Sequence, residues 1–136
     1  GEASVLMTMQ EMSTAVQYNL PIKIFILNNQ YMGMVRQWQE LLHEKNYSES
    51  YTEALPDFVK LAEAYGCVGI QATKPDELDE KINEMINTKE PVIFDCRVDP
   101  AENCFPMIPS GKPHNQMLLG PEDEKEEVSD EGKTLV

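Results

Sequence analysis

Ile22-Lys23-Ile24-Phe25-Ile26-Leu27, followed at once by Asn28-Asn29, is the stretch on which the fold turns. It is nearly all apolar and rich in β-branched residues, and it lacks the polar alternation of a strand with one wet face. It therefore predicts a strand buried on both faces of a parallel sheet. On its N-terminal side, Met9, Met12, Ala15 and Val16 fall at helical spacing within Leu6–Tyr18. Asn19-Leu20-Pro21 ends that helix, because a proline pushes the preceding residue out of the α region.

On the C-terminal side, Met32–Glu44 carries Met34, Val35, Trp38, Leu41 and Leu42 at helical spacing. A polar, irregular stretch over Asn46–Leu55 follows. Asp57–Tyr65 reads as a short helix, with Pro56 suited to its first turn and Gly66 to its stop. Cys67–Ala72 is a second strand. Pro75, Asp76, Glu77 and Asp79 open a further helix with Leu78, Ile82, Met85 and Ile86 as its buried stripe, and the acids complement its N-terminal dipole. Pro91–Val98 is the third strand. Strands alternating with helices predict an α/β unit, a parallel sheet with crossover helices, over residues 1–99. From Pro100 to residue 136 the expectation is an extended tail, Pro-rich at first and acidic at its end.

The whole chain has 136 residues, 41% of them hydrophobic and 26% charged, with a net charge of −13. That is a soluble composition with one domain's worth of chain. The acidity argues against nucleic acid as a partner, since no basic patch exists to displace counterions from phosphates. No apolar run approaches the length of a membrane span. Cys67, Cys96 and Cys104 form an odd set without a CxxC pair, which argues against a disulfide framework and for a reducing compartment. Cys67 and Cys96 lie in apolar runs and read as small core residues. His43 and His114 stand without partners at ligand spacing. The run Glu122–Glu131, seven acids in ten residues, reads as a solvated tail.

Ligands of open α/β sheets bind beyond the carboxyl ends of the strands, where Asn28-Asn29 lies. Two amides there are either a turn or a source of oxygen ligands for Mg²⁺. The opening Gly1-Glu2-Ala3-Ser4 stands one helix and one strand earlier, and crossover geometry returns it to the same edge. Glu2 and Asn29 are then placed to share a cation that bridges a diphosphate.

A Gly-Asp-Gly-Ser-like start followed two dozen residues later by Asn-Asn resembles the cofactor signature of thiamine-diphosphate-dependent enzymes. More specific are Met9-Gln10-Glu11-Met12-Ser13-Thr14-Ala15, Asn19-Leu20-Pro21-Ile22-Lys23 and Tyr31-Met32-Gly33-Met34-Val35-Arg36-Gln37-Trp38-Gln39. Pro56–Gly66 and Met107-Ile108-Pro109-Ser110-Gly111 continue the pattern. Together these resemble the acetohydroxyacid synthase (acetolactate synthase) catalytic large subunit, in the C-terminal part of its thiamine-diphosphate-binding domain. The resemblance covers about residues 1–119. It implies a carboligase that condenses pyruvate with pyruvate or 2-ketobutyrate, with loss of CO₂, in valine, leucine and isoleucine biosynthesis.

By the same resemblance the cofactors are thiamine diphosphate and Mg²⁺, with FAD bound mainly outside this chain. Glu2, Asn29 and the backbone carbonyl of Tyr31 fall on the metal ligands. Gly1, Ala3 and Ser4 lie beside the diphosphate, Gly33 and Met34 fall in the covering loop, and Trp38 falls on the wall of the substrate channel. Trp38 at helical spacing with Met34 and Leu41 also has a plain reading as core. Glu2 departs from the family's aspartate by one C–C bond, about 1.5 Å of reach, and Ala3 departs from the general signature's second glycine. The resemblance puts the activating glutamate outside this chain, so the 136 residues alone are expected to be inactive. It implies as partners the rest of a catalytic chain, a second subunit in a homodimer or tetramer, and a regulatory small subunit, with no membrane. The expected location is the cytoplasm in a bacterium and an organelle in a eukaryote.

Overall fold

A computed structural model describes residues 1–121, so the acidic run Glu122–Glu131 lies outside the described residues. The chain divides into two compact units, residues 1–31 with 52–100, and residues 32–51 with the segment from Ala101 onward. The sequence division at residue 99 left 32–51 with the α/β body, whereas the structure groups it with the segment after Pro100.

The first unit is a three-stranded parallel sheet of β1 (Lys23–Asn28), β2 (Val68–Ala72) and β3 (Val92–Arg97), in the order β1-β3-β2. Its helices are α1 (Glu2–Leu6), α2 (Met12–Gln17), α4 (Phe58–Tyr65) and α5 (Leu78–Asn87). Side chains alternate across a strand, and β3 sends Ile93 to one face and Val92, Phe94 and Cys96 to the other. Ile93 meets Ile26, Met12, Ala15, Phe58 and Ala62, residues from β1, α2 and α4. The opposite cluster joins Ile70 and Ala72 of β2 to Met85 of α5. The sheet is thus covered on both faces, most completely at β3.

Local chemistry sets the helix ends. Asp57 caps α4, its Oδ1 accepting from the N–H groups of Val59 and Lys60 at 3.1 Å each. Pro56 therefore precedes the cap instead of entering the first turn. Gly66 ends the helix at φ 82°, with its N–H donating to Glu63 and that of Cys67 to Ala62, the paired bonds of a Schellman motif. Gly69 of β2 is where α4 comes closest. A Cβ there would stand 2.8 Å from both Cα and O of Val59.

Three expectations change. The helix foreseen over Leu6–Tyr18 is a 3₁₀ turn, Met9–Glu11, leading into α2, and it is separated from α1 because Thr8 leaves helical geometry at φ −134°. β1 is not buried on both faces, since Ile26 and Asn28 are buried while Phe25 and Leu27 are exposed. Ile86 is exposed as well, so the stripe of α5 is Leu78, Ile82 and Met85.

In the second unit, α3 (Gly33–Leu42) buries Arg36, Gln37 and Leu42, while Met34 and Val35 face outward. Of the apolar stripe expected on this helix Leu42 is buried and Trp38 and Leu41 are half-buried, and two polar residues take the other buried positions. The Gln37 amide behaves like a strand partner, with Nε2 donating to the carbonyl of Cys104 (3.1 Å) and Oε1 accepting from its N–H (2.7 Å). Arg36 donates to Asn103 Oδ1 at 3.0 Å and pairs with Glu40 at 2.6 Å. Met107 and Leu118 form an antiparallel bridge beyond them.

Candidate functional site

The carboxyl ends of the three strands meet in one polar network. Asp95 of β3 is buried, and its carboxylate accepts from Asn28 Nδ2 of β1 (2.7 Å) and Gln71 Nε2 of β2 (2.9 Å). Arg97 Nε approaches the second oxygen at 3.3 Å. A buried carboxylate is tolerable only when paired and hydrogen-bonded, and here each flanking strand supplies a partner. Sequence reasoning passed over Asp95, although a lone acid inside Val92-Ile93-Phe94-Asp95-Cys96 was the available signal.

The two asparagines make consecutive turns. Asn28 Oδ1 accepts from the N–H of Gln30, and Asn29 Oδ1 accepts from that of Tyr31, both at 3.2 Å. Gln30 between them is left-handed at φ 62°, and its carbonyl accepts from the N–H of Thr52 at 2.8 Å. Both sequence readings of this pair thus bear on it. The buried Asn28 both donates to Asp95 and accepts from Gln30, while the half-buried Asn29 accepts from Tyr31.

Gly1 packs at this edge. A Cβ on it would stand 3.8 Å from the carbonyl oxygen of Leu27, so the start of α1 lies against the end of β1. Glu2 is 0% exposed, and neither of its carboxylate oxygens has a hydrogen-bond partner. Ala3 is half-buried and Ser4 exposed, on the same first turn, and Tyr31 follows the Asn28-Asn29 turns half-buried. An uncompensated buried carboxylate is costly, and a cation relieves that cost. Among the described residues no cluster of three His, Cys, Asp or Glu side chains could hold a metal. One carboxylate with amide and backbone oxygens is a hard, oxygen-only donor set suited to Mg²⁺, which keeps several of its positions for water and phosphate. The residues present fit that group.

The other predicted residues lie in the second unit. Gly33 is the first residue of α3, Met34 is exposed, and Trp38 is half-buried four residues on, next to Met34 on the helix face. Of the thiols, Cys67 and Cys96 are buried and Cys104 is exposed. Burial pushes both buried thiols above the usual cysteine range, and the Asp95 charge adds to the effect at Cys96.

Comparison with known proteins completes the picture. Residues 1–96 match the model of the thiamine pyrophosphate enzyme C-terminal TPP-binding domain. The chain belongs to that family. Over 126 residues it is 44% identical to the acetolactate synthase large subunit of Haemophilus influenzae, an alignment covering 92% of this chain and 22% of that protein. Over 119 residues it is 49% identical to the acetolactate synthase large subunit of the alga Cyanidium caldarium, covering 87% and 20%. The chain thus spans about a fifth of the length of the curated relatives it matches. Among solved structures it resembles a thiamine diphosphate-dependent 4-hydroxybenzoylformate decarboxylase of Rhodococcus jostii RHA1. There the TM-score is 0.66 at 25% identity, over 73% of this chain and 19% of the other. The family membership accounts for the parallel sheet. No helix among the described residues is long and apolar enough to cross a membrane.

Proposed function

We propose that this chain is the cofactor-anchoring segment of an acetolactate synthase large subunit, which condenses two 2-keto acids with loss of CO₂. The observation that carries the reading is 44–49% identity to acetolactate synthase large subunits across nearly the whole chain. The buried, unpaired carboxylate of Glu2 beside the Asn28-Asn29 edge supports it from the structure.

In this reading Glu2, the Asn29 side-chain oxygen and the Tyr31 backbone carbonyl hold Mg²⁺, and Gly1, Ala3 and Ser4 border the diphosphate. Gly33 and Met34 cover the cofactor, and Trp38 forms part of the wall that selects the second keto acid. Thiamine diphosphate supplies the electron sink for decarboxylation and ligation, so the protein's task is to bind and orient it. FAD and the activating acid belong to other parts of the longer protein, which works with a second subunit and a regulatory small subunit. Its location is the cytoplasm in a bacterium and an organelle in a eukaryote.

The reading is tested in the full-length protein that carries this segment. That protein is expected to form acetolactate from pyruvate when supplied with thiamine diphosphate, Mg²⁺ and FAD, whereas the 136-residue polypeptide forms none. Asn29→Ala raises the Mg²⁺ and cofactor concentrations needed for half-maximal rate, because one ligand is lost from a site with few. Trp38→Leu lowers the share of 2-ketobutyrate product with little loss of stability. A full-length protein that consumes pyruvate without forming acetolactate overturns the assignment.

A further inference from the structure

Resting on that reading of the site, we propose that Asp95 is a positioning residue for the cofactor's cation, acting through Asn28. Both Asp95 oxygens face donors, Nδ2 of Asn28 on one and Gln71 and Arg97 on the other. The 2.7 Å contact of Asp95 with Asn28 therefore fixes which way the Asn28 amide faces, with Nδ2 toward β3 and Oδ1 toward the loop. That oxygen holds the N–H of Gln30, and Gln30 is the left-handed residue that separates Asn29 from Tyr31.

The chain of contacts thus runs from the middle of the sheet to the two residues assigned to the metal. Gln71 and Arg97 hold the other Asp95 oxygen, so the carboxylate cannot turn away from Asn28. In this arrangement the first asparagine is 1% exposed and bonded through both its amide groups, while the second is half-buried. Ligands at metal sites are oriented by the groups that hydrogen-bond behind them, and loss of such a group weakens metal binding about tenfold to a hundredfold. The loop here is held in the same way, one residue removed from the ligand.

The test uses the full-length protein and measures Mg²⁺-dependent binding of thiamine diphosphate by calorimetry, well below each variant's melting temperature. Asn28→Asp sets two carboxylates against each other, and Asp95→Asn sets an amide donor against Asn28 or Gln71. Each is expected to weaken binding about tenfold or more. The double swap Asn28→Asp with Asp95→Asn restores every donor–acceptor pair with the polarity of the Asn28–Asp95 bond reversed. It is expected to recover affinity to within about threefold, since no ligand or orienting bond is then missing.

Single variants that melt earlier but bind the cofactor as wild type does would make the network purely structural and overturn the proposal. A folded swap that binds weakly also overturns it. Where a single variant is not recovered folded, the swap alone decides by the same criterion. A wild-type protein that binds no Mg²⁺–thiamine diphosphate overturns both this inference and the proposed function, whereas normal binding in every variant overturns this inference alone.

Discussion

Strands β1 and β3 are each six residues long and pair in parallel from Lys23↔Val92 to Asn28↔Arg97. They are nearly equal in apolar content and unequal in fate. On the rung Phe25↔Phe94 the two rings meet edge to face with centroids 4.6 Å apart, yet Phe94 is 0% exposed and Phe25 38%. On the rung Leu27↔Cys96 the exposures are 56% and 7%. β1 and β2 are both edge strands, but α5 covers this face over β2 and β3 and not over β1. Composition therefore reports the burial a strand is suited to, and its neighbours decide how much of that burial is met.

The largest effect expected from this contrast is in the unfolding free energy of paired truncations. Phe94→Ala removes a fully buried ring and should cost about 3–5 kcal/mol. Phe25→Ala should cost less, because part of its ring already faces water. Denaturant unfolding of both variants checks the ratio, and equal losses would mean that β1 is as well covered as β3. Next in size is the contact that seats α4 on β2. Gly69→Ala places a methyl against the Val59 backbone, which cannot move aside as a flexible side chain would, and should cost about 1–3 kcal/mol. A neutral result would show that the helix stands off the sheet.

The α/β class, the three strands and most helix positions were legible in the sequence because they rest on local signals. The Gly66 stop of α4 is chemistry that two or three residues settle, whereas Asp57, expected as a helical residue, is the cap. What was not legible depends on neighbours distant in sequence. The exposure of β1 follows from where α5 packs, over β2 and β3, and the polar anchors Arg36 and Gln37 are held by Asn103 and Cys104, 67 residues away. The candidate site divides in the same way. Glu2 and Asn29 are singled out by spacing, whereas Asp95 acquires its meaning only when register sets Asn28 and Gln71 on either side of it.

A smaller effect concerns association. Ile22, Phe25 and Leu27 leave apolar surface on and beside β1, and the strand's outer edge has no partner among the described residues. Such edges are templates for pairing with another chain. Net repulsion at −13 opposes this, but the screening length falls from about 10 Å at 0.1 M salt to about 3 Å at 1 M. The 136-residue polypeptide is therefore expected to self-associate increasingly as salt rises, and Leu27→Lys to reduce it. Sedimentation as a single monomer at both salt concentrations would mean that the edge closes on itself.

The finest probe of the same comparison is chemical, because one rung offers a thiol on one strand and a site for another thiol on its neighbour. Cys96 is buried, and its thiol is pushed above the usual cysteine range first by burial and then by the adjacent Asp95 charge. Both causes disfavour the thiolate, which is the form that alkylating reagents attack. Leu27 faces the same direction one strand over and lies open to solvent. In the folded protein at neutral pH, iodoacetamide followed by peptide mass spectrometry is expected to label the exposed Cys104 and the thiol introduced by Leu27→Cys within minutes. Cys96 and Cys67 should react only after denaturant is added, since Cys67 is buried and shifted upward in the same sense. Raising the pH should leave Cys96 limited by access, because it is buried and its thiol is shifted upward. Comparable rates at Cys96 and at the introduced thiol under native conditions would show that β3 opens as readily as β1, and the contrast between the two strands would be lost.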